Sequence, residues 1–114
     1  MGPPSIGAIV LVPFPFTDLS QSKIRPAVCL ASVGRGDWIF CQITSQAYGD
    51  PRSVPLASTD FVNGGLRIAS WARPGKLFTA NGSLCIREVG TLTDSALDRI
   101  VDGIVDLLRP AKSP

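Results

Sequence analysis

The chain of 114 residues contains no histidine. Histidine is the usual general acid or base at neutral pH, so its absence excludes histidine-dependent ribonuclease, Ser-His-Asp and Cys-His catalysis. Cys29, Cys41 and Cys85 each lie in a separate apolar run without metal-ligand spacing, and no histidine is present to complete a zinc site. We therefore predict buried free thiols in a reducing cytoplasm and expect neither a metal nor another cofactor.

Long apolar runs and clusters of like charge are also missing. Lysine and arginine do not cluster, and the net charge is +2, so a large footprint on duplex DNA is not expected. No apolar stretch approaches the roughly 20 residues that span a bilayer. The N-terminus lacks the basic flank and apolar core of a signal peptide, and P-loop and dinucleotide motifs are absent. These features predict a cytoplasmic protein with one domain over residues 1–114 and no membrane contact.

Two periodicities divide the chain. From about residue 6 to residue 90, short apolar runs broken by turn residues predict a mainly β domain, most simply a small barrel. From about residue 93 to residue 109, apolar residues recur at three- and four-residue spacing, which predicts one C-terminal helix capped by Thr91 or Thr93. The candidate strands are Ala8–Pro13, Ala27–Ser32, Trp38–Ser45, Arg52–Leu56, Arg67–Ala72 and Ser83–Val89, with turns at Gly34–Asp37 and Asn63–Gly65.

Two features of the predicted helix point to contacts. Asp98, Asp102 and Asp106 fall on one edge, which is either a solvated face or a surface for a basic partner. Gly103 inside the helix costs about 1 kcal/mol relative to alanine. That cost indicates a close contact, either with the barrel or with another subunit.

The strongest candidate for a site lies between residues 9 and 31. A proline-rich turn follows the first apolar strand and leads into a polar loop that ends on Lys23 and Arg25. Pro26 disfavours the helical region for Arg25, so we predict an extended Arg25 with its guanidinium held at the rim of a strand. A fixed guanidinium beside a hydroxyl-rich loop suits an anionic group such as a phosphodiester.

Thr44 is the second candidate, because it ends the strand that follows. If the two strands are neighbours, Thr44 and Arg25 could face one phosphate and stabilise its developing charge. The alternative for Thr44 alone is a hydroxyl that bonds backbone at the strand end. Without histidine, such a site would need a substrate that supplies its own nucleophile, and RNA does so with its 2′-hydroxyl.

In these segments the chain closely resembles the PemK/MazF family of toxin endoribonucleases, over about Gly7 to Leu108. The resemblance implies an SH3-like barrel of the CcdB/MazF type with a C-terminal helix, acting as a homodimer. It also implies an mRNA interferase that cleaves single-stranded RNA at specific sequences without a metal. The 2′-hydroxyl attacks, leaving a cyclic phosphate or 3′-phosphate and a 5′-hydroxyl, and a cognate antitoxin is the partner. The segments that carry it are 9–18, 23–28, 43–45, 60–61, 64–66, 72–79 and 89–92.

The same resemblance implies roles for individual residues. Arg25 matches the family's catalytic arginine, and Thr44 matches the threonine that positions or polarises the phosphate. The loop Thr17–Lys23 matches the segment that covers the substrate and is displaced by antitoxin. The residues expected to contact RNA are Thr17, Asp18, Ser20, Gln21, Lys23, Ser45, Gln46, Arg73 and Lys76.

The base that would activate the 2′-hydroxyl is unassigned. Some family members carry an aspartate near the segment that here reads Arg73–Lys76, which has no carboxylate. One alternative is that Arg25 acts as both acid and base, although arginine stays protonated far above neutral pH. The other alternative is that another group, such as Asp18, acts as the base. For Arg73 and Lys76 themselves, the alternative to RNA contact is a solvated hairpin end.

The aromatic residues leave further alternatives open. Phe40 and Phe61 are predicted to be in the core, beside an Asp60 that caps a turn. Phe14 and Phe16 could stack on a base or pack the loop, and Trp71 could line the site or a dimer contact.

Two other functions also stay open. A CcdB-like gyrase poison would use the same barrel without enzymatic activity and act through its terminal helix, but the tail at residues 109–114 does not resemble that class. An SH3-like binding module would need an aromatic groove that is not obvious in the sequence.

Overall fold

Residues 2–15, 22–46 and 49–111 are described by a computed structural model of the chain. These residues form one seven-stranded antiparallel sheet and a C-terminal helix. The predicted mainly β chain with a terminal helix is confirmed. The elements are β1 (Ala8–Pro15), β2 (Ser22–Gly34), β3 (Asp37–Thr44), β4 (Val54–Leu56), β5 (Phe61–Gly64), β6 (Ser70–Asn81), β7 (Arg87–Leu92) and α1 (Asp94–Leu108). Within the described ranges, no helix is long and apolar enough to cross a bilayer.

The sheet curls into a half-barrel in the order β4-β6-β3-β2-β1-β7-β5. Strand β2 is 13 residues long and pairs with β1 near its start and with β3 near its end. The β2–β3 register shifts twice between Cys29 and Gly34, and such bulges add a local bend and twist. The predicted turn at Gly34–Asp37 is confirmed, because Arg35 and Gly36 join the strands with φ values of 58° and 80°.

Each face of the sheet carries its own hydrophobic cluster, as the two-residue period of a strand requires. On the side that we call the helix face, Ala96 and Ile100 of α1 pack on buried strand residues, which are Ile9, Val28, Cys41, Ile43, Ala72 and Leu92. The other side, which we call the far face, has a cluster made of Ala8, Val10, Val12, Ala27, Cys29 and Phe40. Phe40 is therefore in the core, as predicted.

Helix α1 is fixed at its start and near its middle. The Thr93 Oγ1 accepts a hydrogen bond from the Ala96 N–H at 3.1 Å, so Thr93 is the cap that the sequence left open. Further along, a Cβ added to Gly103 would lie 2.9 Å from Cγ of the buried Pro74. The close contact that Gly103 predicted is therefore made with the sheet.

Asp60 ties α1 to the segment between β4 and β5. Its Oδ2 accepts a hydrogen bond from the Ala57 N–H at 2.7 Å, and its Oδ1 accepts one from Nη2 of Arg99 at 2.9 Å. These bonds hold the pKa of Asp60 below its usual range, and the bond from the Ala57 N–H contributes most. The predicted turn-capping role is confirmed, and Phe61 packs half-buried against the helix-face cluster.

Three segments differ from the predicted elements. The predicted strand Ser83–Val89 begins only at Arg87, after a 3-10 turn at Gly82–Leu84, and continues to Leu92. Strand β5 occupies Phe61–Gly64, where Asn63–Gly65 predicted a turn. Gly64 has a φ of 63° and no Cβ, which lets its backbone lie against the Val89 carbonyl of β7. A turn-like sequence can therefore form an edge strand.

Strand β6 continues to Asn81, well past its predicted end at Ala72. Between the pairs Cys41–Leu77 and Ile43–Ala72, the single residue 42 of β3 faces residues 73–76 of β6. This bulge accommodates a proline inside the strand. The alternative that residues 73–76 form a hairpin end is therefore wrong.

Candidate functional site

Arg25 lies in β2 directly opposite Val12 of β1. The extended conformation that Pro26 predicted is thus confirmed. Directly opposite residues point to the same face of a sheet, so the half-buried Arg25 side chain lies on the far face with Val12 and Ala27. It has no hydrogen bond or ion pair with any other residue that the structure describes.

Thr44 ends β3, the strand next to β2. The β2–β3 ladder pairs Ala27 with Gln42, and Arg25 and Thr44 each lie two residues further in the same direction. Because strand side chains repeat every two residues, both belong to the face of that pair. The fold therefore directs the guanidinium and the hydroxyl from adjacent strands to the far face.

The Thr44 hydroxyl is engaged locally. Its Oγ1 accepts the Gln46 N–H at 3.1 Å, and the residue is only 4% exposed. This is the strand-end backbone bond that was the alternative for Thr44. A hydroxyl that accepts one bond keeps its own hydrogen for donation, but a substrate phosphate can contact Thr44 only if neighbouring atoms move. Ser45 and Gln46, which follow it, are exposed.

The cations near these strands differ in environment. Lys23 is exposed and lies opposite Phe14 of β1, and Lys76 is exposed in the β6 bulge. Arg73 is instead paired with Asp50, with Nε 3.7 Å from Oδ2 and side-chain exposures of 22% and 20%. The pairing offsets part of the Arg73 charge, so Lys23 and Lys76 are the freer cations for a polyanion.

Thr17, Asp18, Ser20 and Gln21 were predicted to contact RNA and lie outside the described residues. Their predicted contacts stay predictions. The same is true of Phe16.

The Cys41 thiol stabilises the bulge that carries Arg73. It donates a hydrogen bond to the Arg73 carbonyl at 3.1 Å. Burial raises the pKa of both Cys41 and Cys29 to about 12, so neither is a thiolate nucleophile at neutral pH. All three cysteines are free, Cys29 and Cys41 buried and Cys85 half-buried. In the described ranges, no group of three or more Cys, Asp or Glu residues could hold a metal ion.

An aromatic cluster borders Arg25 on the far face. The rings of Phe14 and Phe78 meet edge to face with centroids 4.4 Å apart, and Phe40 stacks on Phe78 at 5.3 Å. Phe14 thus packs on the barrel. It also lines an apolar cavity of about 360 Å³, together with Val12, Pro13, Phe78, Thr79, Ala80 and Leu84.

Sequence reasoning named Trp71 as a residue that could line the site, but it missed two specific pairings of the candidate site residues. Trp71 lies directly opposite Thr44, and Asp50 pairs with Arg73. Both relations depend on the register of β6, which the bulge shifts. A bulge of this size leaves only a weak sign in the sequence, the proline and glycine at residues 74 and 75.

Solved structures similar to this chain include toxins and toxin–antitoxin complexes. A MazE–MazF complex from Deinococcus radiodurans aligns with a TM-score of 0.74 at 20% identity, over 97% of this chain and 100% of that one. An endoribonuclease in complex with its cognate antitoxin from a mycobacterial species gives 0.71 at 14% identity, over 99% and 100%. The Mycobacterium tuberculosis toxin MazF-mt6 gives 0.66 at 20% identity, over 90% and 99%. At these identities the likeness establishes the fold, which is that of MazF.

The sequence itself also matches a known family. A comparison with curated proteins found no significant match. The family described as PemK-like, MazF-like toxin of type II toxin–antitoxin system matches residues 5–108, which is most of the chain. The half-barrel, the terminal helix and this match agree, and the chain therefore belongs to the PemK-like, MazF-like toxin family of type II toxin–antitoxin systems.

Proposed function

We propose that this toxin is an endoribonuclease that cleaves single-stranded RNA, such as mRNA, at specific sequences without a metal ion. The observation that carries the proposal is the placement of Arg25 and Thr44 on adjacent strands and on one face. Family membership supports it, and so do the similar structures, one of which is described as an endoribonuclease in complex with its cognate antitoxin.

The residues at hand suit attack by the substrate's own 2′-hydroxyl. The 2′-oxygen attacks the adjacent phosphorus and loses its proton. The bond to the 5′-oxygen of the next nucleotide breaks and that oxygen takes up a proton, so a 2′,3′-cyclic phosphate and a 5′-hydroxyl result. Arg25 donates to the phosphate oxygens, whose negative charge grows in the transition state. Thr44 donates its hydroxyl hydrogen to the same group once the strand end moves. We assign no residue as the base, because a guanidinium is protonated at neutral pH.

RNA contacts outside the catalytic pair are proposed for two groups of residues. The exposed Lys23 and Lys76 would bind backbone phosphates, with Ser45 and Gln46 as hydrogen-bonding groups beside Thr44. Arg73 would contribute less while it is paired with Asp50. Thr17, Asp18, Ser20 and Gln21 complete the proposed contacts.

The proposed partners are a cognate antitoxin and a second copy of the chain. Similar structures include complexes of MazF with MazE and of an endoribonuclease with its cognate antitoxin. Light scattering of the purified protein, alone and with the candidate antitoxin, measures both associations.

Cleavage of a mixed-sequence, single-stranded transcript in the presence of chelator tests the function. We expect discrete cuts that leave 5′-hydroxyl ends. Arg25→Ala should lower kcat roughly 100- to 1,000-fold, as loss of one transition-state donor does, and Thr44→Ala should also lower it. Arg87→Ala is the matched control, because this exposed arginine lies opposite Leu11 and so on the other face from Arg25.

Each alternative has its own outcome in this experiment. Normal cutting by Arg25→Ala would contradict the site assignment while leaving the activity in place. Intact RNA together with blocked DNA supercoiling would favour a gyrase poison. Intact RNA without an effect on supercoiling would favour a binding module.

A further inference from the structure

A single row of residues crosses the far face from β1 to β4. Val12 lies opposite Arg25, Thr44 lies opposite Trp71, and Trp71 lies opposite Pro55. Arg25 and Thr44 lie in the middle of this row, on adjacent strands and each two residues beyond Ala27–Gln42, the last pair of the β2–β3 ladder at this end. Trp71 is therefore the next residue after the candidate catalytic pair.

The burial pattern of β6 fixes which way Trp71 faces. Its neighbours Ser70 and Ala72 are 5% and 0% exposed, and Ala72 belongs to the helix-face cluster. Trp71 between them is half-buried, so its indole lies on the opposite side, the far face. Directly opposite residues have Cβ atoms about 4.5–5.5 Å apart, so the Trp71 and Thr44 side chains are neighbours on this face.

A structural role for Trp71 is the competing explanation. The exposed Pro55 of the edge strand β4 lies on the other side of the indole, and packing against it would stabilise that edge. Such packing would affect folding stability and leave RNA affinity unchanged. The two roles therefore predict different measurements.

We propose that Trp71 is a stacking platform for an RNA base next to the phosphate held by Arg25 and Thr44, an inference that rests on the proposed function. Single-stranded nucleic acids bind where cations follow the backbone and aromatic rings stack on bases. Thr44 on β3 lies between β2, which carries the cation Arg25, and β6, which carries Trp71 directly opposite Thr44. Stacking tolerates every base, so Trp71 supports affinity and other residues select the sequence.

Kinetics on a short RNA that contains the mapped cut site test this inference. We expect Trp71→Ala to raise KM roughly 5- to 100-fold and to leave the set of cut positions unchanged. Trp71→Phe should retain most of the affinity, because a phenyl ring still stacks. Trp38→Phe is the matched control, since Trp38 is the other tryptophan of the chain and lies near Pro4 and Gly82.

Fluorescence provides a second measurement that does not depend on the Trp71→Ala variant being folded. The chain has two tryptophans, so Trp38→Phe leaves Trp71 as the single indole emitter. Titration with an RNA carrying a 2′-deoxy nucleotide at the cut site should quench this emission. An oligonucleotide with abasic nucleotides on both sides of the cut should bind more weakly and quench less.

The outcomes separate this inference from the proposed function. If RNA is cut and Arg25→Ala abolishes cutting, but KM is unchanged in Trp71→Ala and Trp71→Phe, Trp71 is structural and the inference fails alone. Emission that stays constant while anisotropy of labelled RNA shows saturation leads to the same conclusion. If the wild-type protein cuts no RNA, the proposed function fails and takes the inference with it.

Discussion

At the scale of single residues, the polar groups of this toxin divide into those that hold the fold and those left available for a ligand. Asp60 uses both carboxylate oxygens within the chain, and Arg73 is engaged by Asp50. Arg25 and Lys23 lie on β2 without a comparable bond to any described residue. Positive side chains without internal partners, placed on one face, suit an external anion.

Replacing Asp60 should reveal its contribution to stability. Asp60→Ala removes the bonds to the Ala57 N–H and to Arg99, and we expect a loss of about 1 kcal/mol at pH 7, since the partner arginine is exposed. Asp98→Ala, which replaces an exposed aspartate of α1 beside Arg99, is the control. Urea denaturation of both variants provides the measurement, and equal midpoints for wild type and Asp60→Ala would contradict this role.

The contribution of Asp60 should also depend on pH. Its pKa is lowered in the folded state, so folding favours the ionised carboxylate. The stabilisation is then fully present above the ordinary carboxyl pKa and is lost as pH falls through the lower folded-state value. Wild type and Asp60→Ala should therefore converge in stability in acid, and a constant difference down to pH 2 would count against the assignment.

At the scale of elements, local signals predicted some features and nonlocal pairing decided others. The Arg25–Pro26 pair predicted an extended arginine, and the threonines before α1 predicted a cap, because both effects act within a few residues. The partners of Trp71 and Arg73 depend on how β6 is registered against β3. Sequence spacing does not contain that register, because the bulge at 73–76 shifts it.

The contact between α1 and the β6 bulge gives a prediction about packing. Gly103→Ala should destabilise the protein, although alanine is about 1 kcal/mol better in a helix, because the new Cβ would lie 2.9 Å from the buried Pro74 ring. Overpacking of this kind costs about 1–3 kcal/mol. In the Pro74→Ala background the same change should cost less or should stabilise the protein. Thermal denaturation of the wild type, the two single variants and the double variant measures the coupling between Gly103 and Pro74.

If Gly103→Ala raises the melting temperature in both backgrounds, the helix and the bulge can separate more easily than the contact suggests. The gain in helix propensity would then outweigh the contact with Pro74. If Gly103→Ala destabilised the protein equally in the two backgrounds, the lost stability would not come from the contact with Pro74.

At the scale of the whole molecule, the low net charge of +2 predicts a modest electrostatic component in RNA binding. If Arg25, Lys23 and Lys76 contact phosphates, log K against log salt should have a slope of roughly −2 for a single strand, about −0.7 per contact. Lys76→Ala would remove one phosphate contact, so the slope should become less negative by about 0.7. Binding of the 2′-deoxy RNA measured from low to moderate salt checks this, and a much steeper slope would require additional cations.

The two bulges of β2, between Cys29 and Gly34, lie between the hairpin turn at Arg35–Gly36 and the end of the strand that carries Arg25. Changing the pairing by one residue turns every side chain of a strand to the opposite side of its sheet. Bulges between the tip and the site can absorb such a slip before it reaches Arg25. The tip of this hairpin is thus a place where a short peptide tag can be inserted to label or immobilise the protein with the surface around Arg25 and Thr44 intact.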